Sequence, residues 1–191
     1  MKSLPTFFWG AFALLLSGIS PARGANNLLK NGEFEKKGSP SVPMNWEAFS
    51  SGNNQWYGGF SKDDASKGGR SVVFSNHGSE LKFQGLFQSV KVKGGEQYQC
   101  FAHVKNNPDN RLAGGSRGQL SIEWIDARGK EISRLWSRAW MSHSADKWTK
   151  MVMSEVAPEK AVKANVVITL FSEGEASGGY LIDDVVFSRV K

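Results

Sequence analysis

From residue 71 onward the chain consists of short runs in which apolar and polar residues alternate, separated by clusters rich in glycine, asparagine and proline. A period of two sends successive side chains to opposite faces of a strand. In the run 98–105, Tyr98, Cys100, Ala102 and Val104 share one face, and Gln99, Phe101, His103 and Lys105 share the other. In 120–125 the apolar set is Leu120, Ile122 and Trp124. In 164–171, Val166, Ile168 and Leu170 lie together, opposite Asn165, Val167, Thr169 and Phe171. The first face of each run is the expected core between two sheets. The second is mixed polar and aromatic, which is unusual for a solvated face. Strands are predicted over 71–75, 85–92, 97–105, 119–126, 131–136, 148–156, 164–171 and 180–190. Short strands with this punctuation argue for an all-β sandwich or barrel. No stretch has the periodicity of a long amphipathic helix, and at most one helical turn is expected at 157–161. Residues 50–69 and 106–118 are loop-like and expected to form surface.

The closing run, Tyr180-Leu181-Ile182-Asp183-Asp184-Val185-Val186-Phe187, carries two adjacent carboxylates. Neighbours on a strand face opposite ways, so one environment cannot account for both. Each must face water, meet a cation or accept several hydrogen bonds. One suits a solvated position; the other needs a partner.

Composition adds a compartment. Lys2, the apolar stretch 4–16 and the small, turn-prone 17–24 have the layout of a secretory signal peptide ending near Ala22-Arg23-Gly24. The apolar part is shorter than the roughly 20 residues of a membrane span, and no later segment is long and apolar enough to cross. Cleavage after Gly24 leaves 25–191, one domain of 167 residues and a monomer by expectation. A chain of this size buries about 70% of its unfolded surface and needs no disulfide to fold. The single cysteine, Cys100, suits a small buried strand residue. The formal charge of +6 falls to +4 once Lys2 and Arg23 are removed, and the basic residues are interspersed with acidic ones. That pattern does not indicate nucleic-acid binding.

Several motifs recur in an order that resembles the calcium-containing jelly-roll carbohydrate-binding modules of families four, nine, sixteen and twenty-two. They begin with Asn27-Leu28-Leu29-Lys30-Asn31-Gly32-Glu33-Phe34-Glu35, then Pro43 with Trp46, and Gly69-Arg70-Ser71-Val72. There follow Leu86-Phe87-Gln88-Ser89-Val90 with Val92, Gly94 and Tyr98, and the turn Asp126-Ala127-Arg128-Gly129-Lys130. Trp148 with Ala157-Pro158 and Ala161, then Ile182-Asp183-Asp184-Val185, complete the series. The resemblance spans 25–191 and implies a two-sheet β-sandwich of the galactose-binding-like type with one structural calcium near the joined chain ends. It implies Glu35 and Asp184 as side-chain ligands and carbonyls near Lys67 or Gly68, with Asp183 the alternative in another register. Calcium takes 6–8 oxygen ligands, commonly carboxylates and backbone carbonyls.

The resemblance does not place a sugar site, so its candidates come from the residues. Trp46, Trp124 and Trp148 fall where core is expected. Trp56 with Tyr57, Trp136 and Trp140 lie in polar or loop-like surroundings. Trp136, Arg138 and Trp140 suit a stacking platform; Phe101, His103, Lys105 and Glu123 suit one as well if their faces line a single concave sheet. Aromatics packed under long loops account for the same residues equally. Reacting groups are not evident: His77, His103 and His143 lack metal-ligand spacing, and no nucleophile motif surrounds a serine or Cys100. Glu123 and Asp126 are read as surface acids rather than as a glycosidase pair. The expectation is a secreted (periplasmic or extracellular), non-catalytic module that binds a polysaccharide or glycan. The alternative is an envelope or extracellular protein-interaction module on the same fold, with a glycan-active enzyme ranked below both.

Overall fold

The computed structural model describes residues 26–52, 56–76 and 81–190; the leader assigned to 1–24 and His77 lie outside them. Alternation of apolar residues produces ten strands among the described residues, and no helix. They are β1 (Glu47–Ser50), β2 (Gly59–Ser61), β3 (Ser71–Ser75), β4 (Phe83–Lys91), β5 (Gln97–Asn106), β6 (Ala113–Ile125), β7 (Glu131–Trp136), β8 (Thr149–Val156), β9 (Lys163–Ser177) and β10 (Gly179–Arg189). Two five-stranded sheets result, a first in the order β1-β4-β9-β6-β7 and a second in the order β2-β3-β10-β5-β8. Every strand pairing within them is antiparallel. This is the expected β-sandwich.

The core contains the residues that the alternation selected. Leu120, Ile122, Trp124, Val166, Ile168 and Leu170 from the first sheet meet Tyr98, Cys100, Ala102, Val104, Ile182 and Phe187 from the second. Tyr98 stacks on Phe187 with ring centroids 5.2 Å apart, and Phe74 stacks on Tyr180 at 4.9 Å. Burial pushes the Cys100 thiol up to about 12, which makes it an inert packing group.

Three expectations need correction, while 157–161 holds a turn and no helix, within what was expected there. Strands β1 and β2 were not foreseen, because 47–50 and 59–61 are too short to show a period. The segment 113–118 is strand rather than loop. Its glycines permit close backbone approach: a Cβ at Gly115 would collide with the carbonyl oxygen of Glu173 on β9. The segment 157–161 is a turn closed by Ala161 N donating to Pro158 O (2.8 Å). Two tryptophans exchange roles. Trp140 is buried in the core, whereas Trp148 is half-buried, donates Nε1–H to Asp64 Oδ1 (3.1 Å) and lies beneath the Lys105 ammonium.

The segment 27–36 is laced to β10. Leu28 N donates to Phe187 O (2.8 Å), Asn27 Nδ2 to Val185 O (3.0 Å), and Val185 N to Gly32 O (2.9 Å). Asn31 adopts a left-handed conformation (φ 54°); its amide donates to Lys36 O and Met44 O, and its own carbonyl accepts the Trp46 indole N–H. Gly32 faces β10 so closely that a Cβ would clash with Val185 O. Replacing Gly32 by Ala is therefore expected to cost about 1–3 kcal/mol in urea denaturation, the usual size of an overpacking penalty. Gly59→Ala, at a site where a Cβ meets nothing within 4 Å, should be nearly neutral; equal losses for the two would refute this account of the amino-terminal lock.

Candidate functional site

The outward face of the first sheet follows from its register. Across β4, β9 and β6, Phe83 stands beside Phe171 and Phe171 beside Arg117; Gly85, Thr169 and Gln119 form the next row. Phe87, Val167, Ser121 and Trp136 follow, then Ser89, Asn165, Glu123 and Arg134. On the edge strand, Phe49 pairs with Gly85 and lays its ring over the space that a side chain there would fill. The rows line an open groove of about 630 Å³.

Two kinds of surface run across the strands. One is aromatic: Phe49, Phe83, Phe171 and Trp136 follow one another with centroids 6.2, 6.5 and 5.9 Å apart. The Arg117 guanidinium lies 4.7 Å from the Phe171 centroid and that of Arg134 lies 4.9 Å from Trp136, within cation–π range. The other is polar. Ser89 Oγ donates to Asn165 Oδ1 (2.6 Å), Asn165 Nδ2 to Glu123 Oε2 (3.0 Å), and Arg134 Nη2 to Glu123 Oε1 (2.8 Å). Arg134 also binds Glu131 through two hydrogen bonds, and that pairing raises its pKa further. Trp136 is 41% exposed, with the Arg134 guanidinium over its ring.

Of the residues singled out in the sequence, this groove brings together Glu123 and Trp136. The others lie elsewhere. Phe101 and His103 are on the outer face of the second sheet, so they do not share a concave surface with Glu123. Phe101 lies under the Lys150 ammonium (3.9 Å). His103 Nδ1 is 3.5 Å from Asp184 Oδ2, and burial lowers the imidazole pKa against the pull of that carboxylate. Trp56 packs edge-on against Phe74 and donates Nε1–H to Ser41 O (2.9 Å), while Tyr57 N donates to Gln84 Oε1 (2.9 Å). Arg138 and Trp140 line a separate cavity with His143. Phe49, Phe83, Phe171, Arg117, Gln119 and Arg134 escaped sequence reasoning. The signal existed for some: Phe171 and Thr169 had already been assigned to the non-core face, and extending the same period through 83–89 and 117–123 selects the rest of the floor.

The candidate cation site is a turn held between carboxylates. Glu35 Oε1 accepts the N–H groups of Gly69 (2.7 Å) and Arg70 (3.1 Å). Asp183 Oδ2 accepts those of Ser66 (2.8 Å) and Lys67 (3.3 Å), and Oδ1 accepts that of Asp184 (2.7 Å). Asp184, at φ 49° in a bulge of β10, turns its carboxylate to Ser66 Oγ (3.2 Å) and His103 instead. Asp183 is fully buried and burial pushes its pKa up to about 6, against the lowering by the backbone N–H donors. A buried carboxylate with no cationic side chain paired to it among the described residues, holding the same turn as a second carboxylate, is a donor set that suits a hard cation. Among the described residues no three His, Cys, Asp or Glu side chains gather into a metal site. A calcium shell here would therefore draw on backbone carbonyls and water.

No family model matches this sequence, and no curated protein sequence matches it. Solved structures do share its shape. The CBM22-1 xylan-binding domain from Paenibacillus barcinonensis Xyn10C superposes with a TM-score of 0.59 at 16% identity, over 87% of this chain and 96% of that one. TmCBM61, solved in complex with β-1,4-galactotriose, gives 0.56 at 17% identity over 87% and 100%. The enzymatically active domain of Bacteriophage CBA120 tailspike protein 4 gives 0.64 at 17% identity, over 86% of this chain but only 21% of that one. The present chain thus spans about a fifth of the tailspike chain. At these identities the likeness is one of fold, and the expected fold of the jelly-roll carbohydrate-binding modules is the one found.

The polar row generates a test of its own. Glu123→Ala removes the acceptor for both Asn165 and Arg134 and is expected to cost about 1–3 kcal/mol in urea denaturation. Glu131→Ala, an exposed partner, should cost less than about 1 kcal/mol; a reversed order would mean that the row is not held through Glu123.

Proposed function

We propose that the domain is a secreted, non-catalytic carbohydrate-binding module that takes a glycan chain across the strands of its first sheet. The observation that carries this is the aromatic series Phe49, Phe83, Phe171 and Trp136 on an open groove, which the polar row adjoins at Trp136. Sugar rings present apolar C–H faces to aromatic rings and a fringe of hydroxyls to polar groups that fix orientation. Supporting the reading are the solved modules of this fold, one described as xylan-binding and one complexed with β-1,4-galactotriose. Supporting a non-catalytic role, Glu123 is engaged by Asn165 and Arg134, while Asp126 accepts the N–H groups of Arg128 and Lys130 in its turn.

A structural calcium at Glu35, Asp183 and the 66–69 turn belongs to the same reading, with Asp184 as the neighbouring acid. Its role is to neutralise Asp183 and hold the chain ends together. A chelator should lower the melting temperature of the wild-type domain, and Asp183→Asn should abolish the difference. Identical melting with and without chelator, and with and without added calcium, would eliminate the ion.

The second reading, an envelope protein-interaction module, has in its favour Val152 and Val156, both exposed on the edge strand β8. Glycan arrays and affinity gels separate the two. Retention on a glycan is expected, weakened at least about tenfold (roughly 1.4 kcal/mol) by Trp136→Ala or Phe171→Ala. Phe101→Ala, on the opposite face, should leave it unchanged. Absence of retention on any glycan, with a protein captured through β8, would replace the first reading by the second.

A further inference from the structure

A second cavity, of about 480 Å³, lies between the connection from β7 to β8 and the strand β8 itself. None of its residues is shared with the groove. Its size falls within the roughly 300–1,000 Å³ of small-molecule sites. Arg138, His143 and Lys150 line it, and no acidic side chain does. Neither Arg138 nor Lys150 has an ion-pair partner among the described residues, and the Lys150 ammonium rests over the Phe101 ring at the rim. The acid of the same connection, Asp146, is taken by Arg111. Cations gathered without a counter-charge raise the local potential and favour an anion. The remaining surface is apolar, from Trp140, Met151 and Val152. Trp140 is only 8% exposed, and its indole N–H has no hydrogen-bond partner, an uncommon condition for a buried donor.

The wall of this cavity is fixed before any ligand arrives. Trp140 exchanges two backbone hydrogen bonds with Gly118 of β6 (2.7 and 2.8 Å). Asn106 Nδ2 donates to the carbonyls of Met141 (3.3 Å) and Ser144 (2.9 Å), and Arg111 Nη2 donates to that of Ser142 (2.8 Å). A connection anchored to β5, β6 and the 107–112 segment loses little freedom on binding, which favours affinity.

We propose that this cavity is a second ligand site, for a small organic anion bearing a carboxylate or sulfate on a body with an apolar face. Arg138 would meet the anionic group as a planar fork, with Lys150 as a second point charge. Trp140, Met151 and Val152 would cover the apolar face. The proposal stands independently of the groove.

Isothermal titration of the full domain with D-glucuronate, D-glucose and inorganic sulfate tests it. Glucuronate should bind at least tenfold more tightly than glucose and more tightly than sulfate. The double variant R138Q/K150Q should weaken glucuronate at least tenfold with its melting temperature unchanged, while Trp136→Ala should leave glucuronate binding intact. Glucuronate no tighter than glucose, or no binding of either, would overturn the site. Sulfate binding as tightly as glucuronate would reduce it to a cation cluster and overturn the ligand class. Loss on Trp136→Ala with R138Q/K150Q silent would assign the binding to the groove and reject the second site.

Discussion

The pairing of β9 with β4 on one side and β6 on the other runs without a slip from Lys163 to Phe171, and both the core and the groove depend on it. Side chains on a strand alternate strictly, so a shift of one residue would exchange the buried and exposed sets. Burial of Val166, Ile168 and Leu170 therefore holds Asn165, Val167, Thr169 and Phe171 on the outer face. The large favourable term is apolar burial, at roughly 25 cal/mol per Å². It acts mainly on the core face, although Val167 and Thr169 opposite are also buried, and it positions both faces. The aromatic series and the polar row are consequences of a register whose energy lies in the core.

The second sheet departs from that regularity at one place. In β10, Asp183 pairs with His103 and Val186 with Phe101, so one extra residue is accommodated in a bulge. The left-handed Asp184 re-aims both carboxylates, Asp183 inward to the backbone N–H groups of the 66–67 turn and Asp184 outward to His103. The amino-terminal segment fits against the same bulge through Gly32 and Val185. Regular alternation thus yields a surface in the first sheet, and its interruption yields a lock in the second.

Between β7 and β8, backbone anchoring takes over from alternation. Trp140 is drawn into the core by its bridge to Gly118, while Trp136, four residues earlier and still in strand β7, stays on the groove. Their sequence surroundings are similar. Only the bridge separates a packing residue from an exposed one, and it also gives the second cavity its wall.

Taken alone, the amino-acid sequence determined the parts that depend on neighbours along the chain. It specified the fold class, the strands β3 and β7 to the residue, and the core faces of β5, β6 and β9. These follow from side-chain period and local turn chemistry, which are written in adjacent residues. Tertiary structure decided everything that depends on which strands lie side by side. Phe49, Phe83, Phe171 and Trp136 come from four strands, the outermost two of these residues 122 positions apart, and no local pattern announces that they align. Phe101 and Glu123 look equivalent in their runs but belong to opposite sheets. Asp183 and Asp184 are indistinguishable until the left-handed backbone of Asp184, in the bulge of β10, sends one inward and the other out.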